Sequence, residues 1–348
     1  MLDKLLNIEW PIIQAPMAGT STPAMAAAVS NAGGLGSIGV GAVSAASAGE
    51  MIAAVRERSD RPFNVNLFCH EPARADAARE AAWLGRLRPA FNQIGAEPPT
   101  TIREIYKSFL KDEEMLSTLL ATKPQVVSFH FGVPSPDWIR AMRGAGIVLL
   151  GSATSLREAR LLVSAGVHAV VAQGYEAGGH RGIFDPDGED IQLGTIALTR
   201  LLVRELAVPI IAAGGIMDGA GIAAVLRLGA GAAQLGTAFV LTDESAADRG
   251  YRAALQSEAA NHTVMTRAIS GRPARCLANR FTAIGASATP SDIPEYPIAY
   301  DAGKSLNAAA KLVGVFGYGA QWAGQGAPLA RSLSTGKLMA ELIAELSG

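Results

Sequence analysis

Charge of one sign is what this chain most conspicuously lacks. Thirty Lys and Arg stand against 31 Asp and Glu, leaving 348 residues with a net charge of −1. That balance excludes the basic footprint by which proteins grip nucleic acid. Cysteine is almost absent. Cys69 and Cys276 are the only two and form no metal-ligand spacing, so they read as free thiols in a reducing compartment. Aromatic residues make up only 6% of the chain. No apolar run reaches the roughly 18 residues that a membrane span needs. The first residues lack the apolar stretch and small-residue site of a secretory signal. The expectation is a cytoplasmic protein with neither nucleic acid nor membrane as partner.

Small apolar residues are abundant instead, with 38 glycines and 49% hydrophobic residues overall. They punctuate a regular alternation. Apolar strand-like runs at 11–15, 35–40, 62–68, 125–131, 147–151, 169–173, 208–215 and 232–239 alternate with helical segments. Among those helices are Thr22-Pro23 to Asn31, Ser47 to Arg58, Pro136 to Arg143, a Ser155–Glu158 capping box running through Ser164, Thr195 to Leu206 and Gly219 to Leu228. Repeated β-α units imply parallel pairing with right-handed crossovers, and eight of them closing on themselves give a TIM (β/α)8 barrel. An open doubly wound sheet is the competing arrangement, and the count of eight favours the barrel. After strand three the alternation breaks for a polar helical insertion at about 70–123, in which Thr101-Ile102-Arg103-Glu104 reads as a capping box opening a helix. Residues 241–304 read as a cap over the barrel mouth. The barrel would then comprise 1–240 and 305–348, with closing helices at 305–312 and 335–346.

Polar and glycine-rich residues gather at the C-terminal ends of the strands, where barrels place their chemistry. The richest stretch is Gln173-Gly174-Tyr175-Glu176-Ala177-Gly178-Gly179-His180-Arg181-Gly182 after strand six, a glycine loop that raises an imidazole beside a guanidinium. Ala213-Gly214-Gly215 and Gln234-Leu235-Gly236-Thr237 end strands seven and eight. Exposed backbone N–H groups and helix N-termini there suit a phosphate dianion. Ala15-Pro16-Met17 suits the edge of a flat ring, with Asn66 and Gln173 offering amide hydrogen bonds to it. Together these describe a mononucleotide with a phosphate tail. Gly34-Leu35-Gly36-Ser37-Ile38-Gly39 satisfies the dinucleotide pattern, yet it follows a helix and enters a strand, the reverse of the required context. His130 and His180 both reach the mouth, whereas His70, His168 and His262 read as surface or packing residues. Two histidines without a third ligand at useful spacing argue against a metal.

These motifs resemble the nitronate monooxygenase family, formerly called 2-nitropropane dioxygenases. The likeness runs over nearly the whole chain, and the Gly174–Gly182 run is its most specific part. Tyr296-Pro297-Ile298-Ala299-Tyr300-Asp301-Ala302-Gly303-Lys304 is similar to the class I bacterial type. The resemblance implies an FMN-containing barrel that oxidises alkyl nitronates, notably propionate 3-nitronate, with dioxygen. One electron passes to flavin, and nitrite or nitrate and a carbonyl product are released. It implies His180 as the catalytic histidine and a substrate pocket of His130, Tyr106, Tyr251, Tyr296, Tyr300 and Lys304. FMN contacts carry over to Met17, Asn66, Gln173, Gly178, Gly215, Gln234, Gly236 and Thr237, with Ala15, Pro16, Gly179, Ala213, Gly214 and Leu235 in the same loops. Arg181 and Lys304 would hold the nitro oxygens of a small anionic nitronate, and the protein would act as a monomer or homodimer. The alternatives are an NAD(P)H-dependent FMN reductase of quinones or enoyl thioesters on the same barrel, and a non-catalytic sensor of a phosphate ligand.

Overall fold

In the computed structural model, which describes residues 2–348, eight parallel strands form one sheet whose ends meet. They are β1 (Ile12–Gln14), β2 (Gly36–Gly39), β3 (Phe63–Phe68), β4 (Val126–His130), β5 (Val148–Ala153) and β6 (Ala169–Gln173), followed, after a two-residue strand β7 (Gly179–His180) outside the barrel, by β8 (Ile210–Ala213) and β9 (Ala232–Leu235). The spatial order is β1-β9-β8-β6-β5-β4-β3-β2, and a bridge between Ile13 and Leu35 brings the last strand back to the first. Seven of the eight barrel strands thus fall within the runs marked by apolar patterning, β5 runs two residues past its own to Ala153, and the TIM barrel stands over the open sheet.

Local chemistry starts the helices where the sequence places them. Thr22 caps Pro23–Asn31 by accepting from Met25 N, with proline at the first-turn position. Ser155 caps Leu156–Ala165, but Glu158 does not return to Ser155; its buried carboxylate accepts from Thr154 N and Oγ1 and from Phe184 N. Gly36 belongs to β2 and packs so closely under Pro23–Asn31 that a Cβ would lie 1.9 Å from the Ala26 carbonyl oxygen. The dinucleotide-like glycines therefore serve strand–helix contact.

Two expectations need correction. The stretch at Thr101 is irregular rather than helical: Ile102 is drawn into a core and Arg103 N donates to Asp301 Oδ2 at 3.0 Å. The insertion's helices are instead Ala77–Gln93 and Glu113–Thr122. The helix expected from 305 begins at Ile298 and runs unbroken to Leu312, so the boundary drawn at 304 falls inside one helix. Both corrections have one cause. Trp83, Leu84, Leu87 and Phe91 of Ala77–Gln93 pack against Ile298, Ala299, Ala302, Leu306 and Ala310 of Ile298–Leu312, with Ile269 and Phe281 beneath. Insertion and cap share a single second core above the mouth, stabilised by burial worth about 1.5–3 kcal/mol for each large apolar side chain. A small antiparallel sheet completes it. Strands β10 (Thr263–Thr266) and β11 (Ala274–Leu277) pair, and β11 pairs with β7, binding the cap to the loop that carries His180.

Candidate active site

Between the strand ends and this second core lies a cavity of about 570 Å³. The sequence-expected site residues line it except Leu235, which is 1% exposed and turned into the barrel wall, and Arg181, which is also buried away from it. The loop after β6 is held from several sides. Arg275 Nε and a terminal guanidinium nitrogen donate to Tyr175 O at 3.1 and 2.9 Å. Glu176 turns away from the cavity and accepts from Thr195 N and Oγ1, serving as the cap that Gly194 cannot supply to helix Thr195–Glu205. The His180 carbonyl accepts from Gln173 Nε2 at 3.0 Å and His130 Nε2 at 3.2 Å, while Gln173 Oε1 accepts from Gly182 N at 2.7 Å. A carbonyl only accepts, so His130 carries its proton on Nε2 in this contact.

His180 is thereby fixed in position. Its ring lies among aromatic neighbours, with ring centroids of Trp322 at 5.0 Å, Tyr296 at 5.3 Å and Phe131 at 5.6 Å. Burial, and then the neighbouring His130, Arg272 and His70, hold it well below the ordinary imidazole value of 6.5. Burial likewise brings His130 down to about 4. Both rings are neutral at physiological pH.

The pocket is built to meet an anion. The Lys304 ammonium sits 4.8 Å from the Tyr106 ring centre and 5.2 Å from that of Tyr300, and it forms no ion pair among the described residues. The buried Tyr296 hydroxyl has no hydrogen-bond partner among the described residues. Burial raises the hydroxyls of Tyr106, Tyr296 and Tyr300, the last to about 12, so all three remain proton donors. Asp248 is the one acid in the lining, and Lys311 neutralises it at 2.5 Å.

Two residues take other roles than expected. Arg181 is 1% exposed and faces away from the cavity, paired with Asp190 at 2.9 and 2.8 Å and donating to the carbonyls of Gln173 and Gly174. It fastens the loop and does not reach a ligand. Arg181→Met is therefore expected to lower unfolding stability by roughly 3 kcal/mol, since it strands Asp190 beside the buried loop; denaturant unfolding checks this. Tyr251 donates its phenolic proton to the Trp322 carbonyl, so it braces the indole beside His180 while one edge lines the cavity. Trp322, Ser128, Ser152 and Phe68 also line the cavity and were not singled out by pattern. Strand parity could have indicated Ser128 and Ser152, whereas nothing local marks Trp322.

The opposite end of the cavity is bare backbone. Gly214 and Gly215 adopt φ of +123° and +70°, which only glycine takes without strain. A Cβ at Gly178 would lie 2.4 Å from Gly324 N, and one at Gly236 would fill the slot beside Ala15 Cβ and Met17 Sδ, at 3.5 and 3.8 Å. Gln234 lines the cavity with its side-chain amide uncommitted to any group among the described residues. Asn66 spends its N–H groups on Ser128, leaving its oxygen as an acceptor. A slot between small residues, a glycine cradle and free amides fit a flat ring with a phosphate tail. Among the described residues, no three His, Cys, Asp or Glu are grouped to hold a metal ion, and no helix is long and apolar enough to cross a membrane.

Comparison with known proteins agrees with this geometry. Residues 1–345 match the family described as nitronate monooxygenase. The chain belongs to the nitronate monooxygenase family. It is 62% identical to a nitronate monooxygenase of Paraburkholderia phytofirmans, over 98% of this chain and 93% of that one. It is 53% identical to a nitronate monooxygenase of Pseudomonas aeruginosa, over 99% and 98%. A crystal structure of nitroalkane oxidase from Streptomyces ansochromogenes superposes with a TM-score of 0.91 at 39% identity, covering 99% of this chain and 97% of that one. As a member of that family the chain is an oxidoreductase on a TIM barrel, and the family is flavin-dependent.

Proposed function

We propose that this enzyme binds FMN across the barrel mouth and oxidises alkyl nitronates, propionate 3-nitronate among them, with dioxygen. Nitrite or nitrate and a carbonyl product leave. The observation that carries this reading is the unpaired Lys304 ammonium set among three protonated tyrosines beside a neutral His180. Such a pocket favours a ligand that arrives already negative.

Met17 and Gly236 would flank the ring, Asn66, Gln173 and Gln234 would meet its polar edge, and Gly214, Gly215 and Thr237 would take the phosphate. The chemistry that FMN supplies when bound is acceptance of a single electron from the nitronate. The chain's own part is placement and charge. Lys304 and Tyr296 hold the nitro oxygens, and Tyr106 and Tyr300 fix the ammonium between their rings. Trp322 and Phe131 keep water from the far side of His180. Toward a neutral nitroalkane, His180 takes the α-carbon proton and so makes the nitronate in place.

The test is oxygen uptake by the FMN-loaded enzyme with propionate 3-nitronate and no nicotinamide. Uptake is expected. Its absence, together with rapid bleaching of the flavin by NADH under argon, would favour the reductase reading instead.

A pH dependence follows from the neutral imidazole. The lone pair that accepts the carbon proton is present above the lowered His180 value and lost as pH falls through it. For a neutral nitroalkane, kcat/KM is therefore expected to stay level down through pH 6.5 and to fall only at lower pH. An acid limb centred at or above 6.5 would contradict the assignment.

A further inference from the structure

The turn between β10 and β11, residues 267–273, packs against the loop that carries His180. From it Ser270, which is 1% exposed, places Oγ 2.8 Å from His180 Nε2. Ser270 does not line the cavity. His180 Nδ1 makes no hydrogen bond among the described residues and is not among the buried orphan atoms, so it is the nitrogen left to the cavity.

One hydroxyl hydrogen must choose between two neighbours. Ser270 Oγ lies 3.3 Å from the Arg272 carbonyl oxygen and 3.5 Å from Arg272 N, which donates to it. A carbonyl oxygen can only accept, and among the described residues Arg272 O takes no other donor. The arrangement that satisfies every group sends the serine hydrogen to Arg272 O. Ser270 Oγ then accepts from His180 Nε2–H, and the lone pair is confined to Nδ1. The opposite choice would orphan a buried carbonyl, at about 1–3 kcal/mol.

We infer that Ser270 is the positioning residue for His180: by accepting its Nε2 proton, the hydroxyl selects the tautomer whose basic Nδ1 faces the cavity. The rest of the turn supports this assignment. Arg272 is 3% exposed, stacks its guanidinium 4.3 Å from the centre of the Phe131 ring, and donates to the Ile183 and Phe184 carbonyls. Arg181 N donates to Pro273 O at 2.8 Å, so the turn and the His180 loop move as one. The serine is thus held as firmly as the ring it orients. The cap, whose hairpin bears this turn, is in this way part of the proton-transfer apparatus as well as a cover.

This inference rests on the role given to His180 above, and its test separates the two. Ser270→Ala deletes one atom from a packed turn, and Ser270→Thr keeps the hydroxyl. Histidine-15N NMR of FMN-loaded protein is expected to show His180 as one tautomer with unprotonated Nδ1 in the parent and in Ser270→Thr. In Ser270→Ala it is expected to show a mixture. In turnover, Ser270→Ala should lower kcat/KM for a neutral nitroalkane about tenfold, the worth of one such hydrogen bond. For a preformed nitronate it should lower it only by roughly a quarter of an order of magnitude, with Ser270→Thr close to the parent on both. An unchanged tautomer in Ser270→Ala, or equal losses on both substrates, would overturn the positioning role. Failure of the parent enzyme to consume oxygen with any nitronate would instead overturn the proposed function, leaving the NMR result to judge Ser270 by itself.

Discussion

Replacing His180 by asparagine is expected to cut turnover of a neutral nitroalkane by roughly a thousandfold, while turnover of the preformed nitronate falls by about tenfold or less. The difference follows from what each substrate asks of the site. A neutral nitroalkane must lose a proton from carbon, and the free Nδ1 of the buried, neutral imidazole is the acceptor beside the cavity. A nitronate has already lost that proton and needs only a donor for its oxygens. Asparagine keeps a donor of similar reach but no lone pair basic enough to replace imidazole. Steady-state rates on the two forms of one compound, each added from its own stock and assayed before it re-equilibrates, make the comparison. Equal losses on both would remove the base role from His180.

The second large effect belongs to Lys304. Lys304→Met is expected to raise KM for an anionic nitronate by roughly tenfold to a hundredfold, the worth of a charge-assisted hydrogen bond, with kcat changed much less. The side chain stands between the rings of Tyr106 and Tyr300 and forms no direct ion pair among the described residues. Only the nearby Asp301 charge acts on it, so an anionic ligand is its natural direct partner. Methionine keeps the apolar stem and its packing while removing the charge. Because the neutral nitroalkane carries no net charge, its KM should rise far less. A similar rise for both would assign Lys304 a packing role. This substitution and His180→Asn act on different quantities, the one on binding and the other on proton transfer, so together they separate attraction from chemistry.

How far the sequence reveals this site depends on the distance over which each feature is decided. The barrel strands were legible because each is a short apolar run whose character is local. The glycine loops were legible because the backbone conformations of Gly214 and Gly215 exclude other residues. The motif around His180 brought the imidazole to the mouth, where the structure has it. What was illegible is what side chains do on arrival. Arg181 stands next to His180 in sequence, yet successive residues of an extended segment point to opposite faces, and its guanidinium turned toward Asp190. Tyr251 carries the same hydroxyl as Tyr296, but the Trp322 carbonyl claims the one and nothing among the described residues claims the other. The Thr101 stretch has the letters of a capping box, but burial of Ile102 in the cap core outweighed the small gain of a local cap. Joining insertion and cap into one body needed Leu87 and Leu306, more than half the chain apart, to enter one core, and no periodicity encodes that partnership.

The sensitivity of the mouth to the cap is the physical consequence of that joined core. Tyr106 comes from the insertion, Tyr296, Tyr300 and Lys304 from the cap, His130 from barrel strand β4, and His180 from β7 in the loop after β6. Only their packing together makes an anion pocket over the glycine cradle.

Everything in this account depends on a flavin lying in that cavity, so the most direct measurement is the absorbance spectrum of the purified protein, followed by release and identification of any chromophore. The account predicts a yellow protein, or a colourless one that turns yellow on adding FMN, with one FMN released per chain on denaturation. A folded, colourless protein that binds no FMN from solution would contradict it.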